Sequence, residues 1–199
     1  GHGREEISDD VDLSRTVGWF TTVFPVLLNL REASNPGDAL KIVKEQLRGI
    51  PNRGIGYGVL RYLSDNQYIT KQLSSLPQAE VIFNYLDHFD QTLSESSLFG
   101  WAQESSGLTH SLRGRRCHLL EINGLVSGGQ LQLNWSYSQE VHRRSTIEAL
   151  AESFVKRLQA IITHCQSSEA RGFTPSDFSE AQLSQQELDQ FLTKINRKR

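Results

Sequence analysis

Leu131, Leu133 and Trp135 alternate with Gln130, Gln132 and Asn134. A strand can bury such a period-two pattern on one side and leave the other side wet, so this segment predicts a half-buried β-strand. It closes a longer stretch, residues 117–137, that reads as a hairpin. Two turn candidates, Ser127-Gly128-Gly129 and Asn123-Gly124, leave the register open. The period then changes. Over residues 145–165, Ile147, Leu150, Phe154, Leu158, Ile161 and Cys165 recur at helical spacing, and Ser145 with Glu148 reads as a capping box. A hairpin followed by a long one-faced helix calls for layers, so the fold class is α/β: helices on one face of a mixed sheet.

The remaining segments fit that plan. Residues 17–30 are aromatic and β-branched and read as buried strand, with Pro25 marking an edge, break or bulge because it cannot donate to a ladder. A helix follows, capped by Asn35, with Pro36 in its first turn and Asp38 complementing its dipole. Leu40, Val43 and Leu47 form its apolar stripe, and Gly49 and Pro51 end it. A shorter helix is expected after the next glycines, with Val59, Leu60 and Leu63 facing inward. Val81 to Phe89 reads as strand. The expected organisation is one lobe over 1–166, a linker over 167–183, and a terminal helix with a basic tail over 184–199. Phe173 and Phe178 are expected to pin the linker by burying aromatic area. Ser184 and Glu187 form a second capping box.

Bulk properties narrow the function classes. A chain of 199 residues fits one domain, or one large lobe with an appendage. A net charge of −2 gives no electrostatic reason to expect nucleic acid or an acidic membrane as partner. No apolar run is long enough to span a bilayer. Cys117 and Cys165 have no metal-ligand spacing and read as buried, reduced thiols, which points to the cytoplasm.

Three motifs occur in order: Arg15 to Pro25 (with Gly18-Trp19-Phe20-Thr21), Pro51-Asn52-Arg53-Gly54-Ile55-Gly56-Tyr57-Gly58, and Phe83-Asn84-Tyr85-Leu86-Asp87. They follow Gly1-His2-Gly3-Arg4-Glu5. Together they resemble the C-terminal lobe of the epimerization domains of nonribosomal peptide synthetases, in the condensation-domain superfamily. The resemblance covers essentially the whole chain. It implies a two-layer sandwich lobe of the chloramphenicol-acetyltransferase-like, condensation-domain fold. It also implies racemisation at the α-carbon of an aminoacyl or peptidyl thioester. That substrate rides on the 4′-phosphopantetheine arm of a peptidyl carrier protein, with no cofactor held by this chain itself.

The resemblance also assigns residues. Arg4, Asn84 and Tyr85 are implied in catalysis, and His2, Gly54, Gly56, Tyr57 and Gly58 in supporting the chamber. Arg4 can orient a carboxylate or stabilise enolate charge. The family motif opens with a glutamate, and this chain begins one residue after it. The family's His-His-x-x-x-Asp-Gly motif belongs to the N-terminal lobe and is absent here, so the N-terminal lobe is an expected partner and the isolated chain is expected to be inactive. Where the family continues Leu-Gly, this chain has Leu86-Asp87, which bears on the local backbone and cavity shape.

Read as residues alone, these positions also have plainer roles. In a strand, Ile82, Asn84 and Leu86 share one face, and Val81, Phe83 and Tyr85 the other. Tyr85 can then be a core aromatic with its hydroxyl at the rim, and Asn84 a hydrogen-bonded strand residue. Gly54-Ile55-Gly56-Tyr57-Gly58 follows a helix and has the wrong glycine spacing, which excludes a dinucleotide loop; a tight turn needing positive φ accounts for it as structure. Arg113, Arg115 and Arg116 form either a solvated edge or a docking patch for an acidic carrier. Two rival functions stay open. One is a condensation lobe that joins two carrier-bound acyl groups. The other is a non-catalytic module that binds carrier protein.

Overall fold

The computed structural model describes residues 10–88, 104, 107, 111, 114–167, 172–181 and 183–196. The chain divides into two compact units: Pro77–Glu152, and the chain up to Leu76 together with that from Ser153 onward.

The first unit is built on a three-stranded sheet in the order β1 (Val81–His88), β2 (Leu120–Ser127), β3 (Gln130–Tyr137). β1 runs parallel to β2, and β2 antiparallel to β3. The sheet is therefore mixed, as the sequence pattern predicts. The hairpin turns at Gly128 and Gly129, with φ of +60° and +69°. Two consecutive left-handed residues make the tight turn whose twist matches the flanking strands, and glycine adopts them without steric cost. Of the two turn candidates, the Asn123-Gly124 pair is instead mid-strand.

One face of the sheet is apolar. Leu120 and Ile122 are buried against Ile147, with Leu133, Trp135 and Tyr137 packed around them. Ile147 belongs to the helix Arg144–Gln166. One face thus carries a helix, as the α/β reading requires. Removing that apolar area from water stabilises the unit by about 25 cal/mol per Å².

The second unit holds most of the helices. α1 (Pro36–Arg48) begins as expected: the Asn35 side chain accepts from the Asp38 amide at 3.0 Å, and Pro36 occupies the first turn. Its C-terminus is closed by Gly49, whose N–H donates to the Glu45 carbonyl at 2.8 Å. A 3₁₀ turn (Pro51–Gly54) leads into the short α2 (Gly56–Gly58) and a π turn, Val59–Leu63. α3 (Gln67–Ser75) follows, capped by Asn66. Arg144–Gln166 is α4, and Gln185–Asn196 is α5. The capping box at α5 forms: the Ser184 N–H and hydroxyl both donate to Glu187, at 2.8 and 2.7 Å.

Several expectations are corrected. Residues 17–30 form no strand; Val17, Trp19 and Leu27 are 95, 89 and 91% exposed. Apolar, β-branched composition suits a sheet only where a neighbour supplies the ladder, and among the described residues none does. One side chain of α1 takes up part of the segment's backbone hydrogen bonding. Gln46 donates to the Asn29 carbonyl at 2.7 Å and accepts from the Asn29 N–H at 2.9 Å, as a paired strand residue would. Val59, Leu60 and Leu63 are exposed rather than inward. The π turn widens the spacing on which a helical face was read.

α4 begins at Arg144, which places Ser145 inside the first turn. Glu148 is taken by Arg144 at 2.7 Å, so no capping box forms there. Along α4 the half-buried positions are Ala151, Phe154, Leu158, Ile161 and His164, while Leu150 and Cys165 are exposed. Cys117 is exposed too, and both thiols are free. Phe89 lies outside the described residues.

Phe173 and Phe178 pack edge-on against each other with ring centroids 5.4 Å apart, and they remain 50 and 39% exposed. What ties residues 174–177 to α1 is polar. Lys44 donates to both Asp177 oxygens at 2.7 and 2.6 Å, and Arg48 to Asp177 at 3.1 Å and Ser176 at 2.9 Å. The Ser176 hydroxyl donates to Glu45, and Thr174 is buried beneath them. The Lys44 hydrogen bond, then that from the Thr174 amide, hold the Asp177 carboxyl far below the usual carboxylate range. A carboxyl depressed by folding contributes stability above its unfolded pKa of about 3.9, and that contribution is lost as pH falls toward the folded value. Asp177→Asn is therefore expected to lower the thermal midpoint at pH 7 and to shrink the drop in midpoint on acidification below about pH 4. Equal acid dependence in both proteins, followed by circular dichroism, would show that the Asp177 pairs do not hold this segment.

Candidate functional site

Asn84 and Tyr85 are consecutive on β1, so their side chains leave the strand on opposite faces. Tyr85 pairs in register with Gly124, and its ring covers that glycine: a Cβ at Gly124 would lie 3.4 Å from Tyr85 Cδ2 and 3.1 Å from Leu133 Cδ2. An aromatic ring over a strand glycine fills the space that the missing side chain leaves. The packing agrees with Tyr85 as a core-side aromatic, while the residue stays 46% exposed and its ring edge reaches water. Asn84 lies on the face away from Ile147. It pairs with Asn123 in register and donates from Nδ2 to Asn123 Oδ1 at 3.4 Å. Asn134 follows in register on β3, so a row of carboxamides crosses all three strands. Among the described residues β1 is the edge strand beside β2. The ladder slips between Tyr85 and His88, the stretch that holds Asp87.

The glycine motif lies in the other unit and is built separately. Asn52, Arg53 and Gly54 all have positive φ, at 46°, 53° and 84°. Three left-handed residues in succession reverse the chain between α1 and α2. Gly54 is buried, with the Phe24 ring against its Cα; a Cβ there would meet ring atoms at 2.4 Å. Gly56 and Gly58 differ. They open a right-handed helical turn, and a Cβ on either would meet nothing within 4 Å. Only the first of the three glycines is demanded by a left-handed turn. Tyr57 is half-buried, and its hydroxyl oxygen accepts from Arg61 Nη1. The Arg61 guanidinium also lies 5.8 Å from the Tyr57 ring centre and 5.4 Å from that of Tyr62. The hydrogen bond to Tyr57 raises the Arg61 pKa further, so the group remains a cation.

Arg4, His2 and Arg113 lie outside the described residues. Arg116 is committed locally: it donates to the Ser136 hydroxyl and carbonyl at 3.1 and 2.8 Å and lies 3.7 Å from Glu121. That leaves Arg115 exposed at this edge. Among the described residues no cluster of three His, Cys, Asp or Glu is placed to hold a metal ion, and no helix is long and apolar enough to cross a membrane.

Residues 1–184 match the family model described as Condensation domain. The chain belongs to the condensation-domain family. It is similar to a linear gramicidin synthase of Brevibacillus parabrevis, 49% identical over 192 residues, covering 96% of this chain and 2% of that protein. Tyrocidine synthase 1 of the same organism is 41% identical over 199 residues, covering 95% of this chain and 18% of that protein. Among solved structures, the epimerization domain from the third module of tyrocidine synthetase B matches with a TM-score of 0.73 at 36% identity, over 86% of this chain and 36% of that one. The chain therefore spans a small part of these synthases and about a third of that solved domain. The mixed sheet with helices is the α/β lobe of the condensation-domain fold.

Within this condensation-family lobe, three residues beside the motifs escape a reading of the sequence. Asn123 reads there only as a turn residue. Its position between Ile122 and Gly124 on an alternating strand is the signal that places it on the polar face. Gln46 carries no such signal, since it meets a segment without regular structure, and the four-residue spacing of Tyr57 and Arg61 shows only once residues 56–63 are known to be helical.

Proposed function

We propose that this chain is part of an epimerization domain that converts the L-aminoacyl or peptidyl thioester on a carrier protein to its D-epimer. The observation that supports the reading best is the likeness to a solved epimerization domain at 36% identity over 86% of the chain. A base removes the α-proton, the electron pair passes into the thioester carbonyl to give an enolate, and a proton returns to the opposite face of the same carbon. No atom is gained or lost. Asn84 is assigned to hold the thioester oxygen through its amide N–H, and Tyr85, on the opposite face, to pass a proton from its hydroxyl past the strand edge. Arg4 supplies positive charge near the acid/base carboxylate. Gly54, Gly56, Tyr57, Gly58 and His2 are assigned to the chamber's support. The substrate arrives on the 4′-phosphopantetheine arm of a peptidyl carrier protein, in the cytoplasm.

The test is α-proton exchange in deuterated water on a carrier-bound aminoacyl thioester, with this chain alone and with an N-terminal lobe supplied. Exchange in the mixture and none with the chain alone is the expected result. Asp87, standing where the epimerization motif has glycine, favours condensation as the second reading. Peptide-bond formation between two loaded carriers, without exchange, would establish that reading instead.

A further inference from the structure

We infer that Asn123 is a positioning residue that sets which way the Asn84 carboxamide faces. The inference rests on the epimerase reading, in which Asn84 must present an N–H to an oxygen that becomes negative. A carboxamide has a donor end and an acceptor end of nearly equal shape. On an open sheet face either orientation fits. Only one of them stabilises the enolate oxygen; the other puts a carbonyl oxygen against it and repels it.

The sheet couples that choice to the orientation of Asn123. Asn84 and Asn123 face each other in register, and Asn84 Nδ2 donates to Asn123 Oδ1 at 3.4 Å. While Asn123 presents Oδ1, this contact takes one of the two divergent N–H bonds of Asn84 and so sets the direction of the second N–H and of Oδ1. Asn123 can serve as an anchor because of where it stands. It lies on β2, the strand paired on both sides. Its neighbours Ile122 and Gly124 are both buried on the opposite face, so its backbone is held while its side chain stays on the exposed one. Groups that align a site from such a rigid element hold geometry better than groups on loops.

The experiment uses the complete two-lobed domain and the exchange assay, with Asn123→Leu, Asn123→Gln, Asn84→Ala and the double variant Asn84→Ala/Asn123→Leu. Asn123→Leu keeps the shape but removes the acceptor. It is expected to lower kcat about tenfold with KM unchanged, the scale of one lost hydrogen bond in the transition state. Asn123→Gln retains an acceptor and is expected to keep most of the rate. The double variant is expected to be no slower than Asn84→Ala, because an anchor has nothing to hold once Asn84 is gone. Wild-type kcat in Asn123→Leu overturns the inference. So does a double variant slowed by the product of the single effects, or a loss shared equally by Leu and Gln with a lowered unfolding midpoint. If Asn84→Ala exchanges at the wild-type rate, the role given to Asn84 falls and this inference with it. If Asn84→Ala collapses while Asn123→Leu does not, only the inference falls.

Discussion

Gly54→Ala is expected to destabilise the protein by about 2–5 kcal/mol, while Gly56→Ala, two residues on, is expected to be neutral or stabilising by up to about 1 kcal/mol. The contrast follows from backbone and neighbours rather than residue type. At φ +84° an alanine at position 54 enters the left-handed region, which costs roughly 1–2 kcal/mol for an L-residue. Its Cβ would also lie 2.4 Å from Cγ and Cδ1 of Phe24, atoms near the base of a ring that cannot step aside without moving its own backbone. Overpacking of that kind adds about 1–3 kcal/mol. At position 56 the backbone is helical and the space is open, so alanine only reduces the freedom of the unfolded chain. Against a typical total of about 5–15 kcal/mol, the first change is severe. Urea unfolding decides: the midpoint should fall sharply for Gly54→Ala and hold or rise for Gly56→Ala, with the slope unchanged. Equal midpoints would mean that Phe24 does not rest on this turn.

The difference between those glycines shows which parts of the structure a sequence can disclose. Devices that close within a few residues are legible. The Asn35 cap, the Ser184–Glu187 box and the Gly128-Gly129 turn each satisfy their own backbone, and local spacing finds them. The alternation on β3 is legible because the pleat imposes it. Features that depend on distant partners are not. Composition makes 17–30 a strand, yet a strand exists only where a ladder meets it, and here the Gln46 side chain, not a strand, pairs with the Asn29 backbone. Ser145 and Glu148 have capping-box spacing, but Arg144 competes for the same carboxylate. Phe173 and Phe178 stand out in the sequence for their apolar area. The charges on α1 that fasten Asp177 are 129 and 133 residues away in sequence. Of the candidate site, the sequence offers the motif residues as proposals. That Asn84 and Tyr85 leave β1 on opposite faces also follows from the pleat, but the partners they meet there, Asn123 and Gly124, require the register.

Those opposite faces give the second large expectation. In the complete two-lobed domain, Asn84→Ala is expected to lower the α-proton exchange rate about a hundredfold, and Tyr85→Phe about tenfold or less. Removing one donor aimed at a developing oxyanion costs about 10²–10³ in kcat, because the charge it meets is largest in the transition state. Asn84 is suited to that role: it is half-buried on the face away from the apolar core, and its amide pairs with Asn123 rather than being spent on that core. Tyr85 is committed differently. Its ring covers Gly124 on the face that holds the apolar core, so most of its worth is packing, which phenylalanine preserves. Its hydroxyl contributes only as far as it reaches the chamber past the edge of β1. The two variants also separate in stability, where Tyr85→Ala should unfold earlier than Tyr85→Phe, and Asn84→Ala should unfold near wild type. Single-turnover exchange with saturating carrier-bound thioester measures the rates apart from binding. A hundredfold loss in Tyr85→Phe with little change in Asn84→Ala would reverse the assignment. It would place the reacting oxygen on the helix-covered side of the sheet, where the phenol, and not the amide, is the donor.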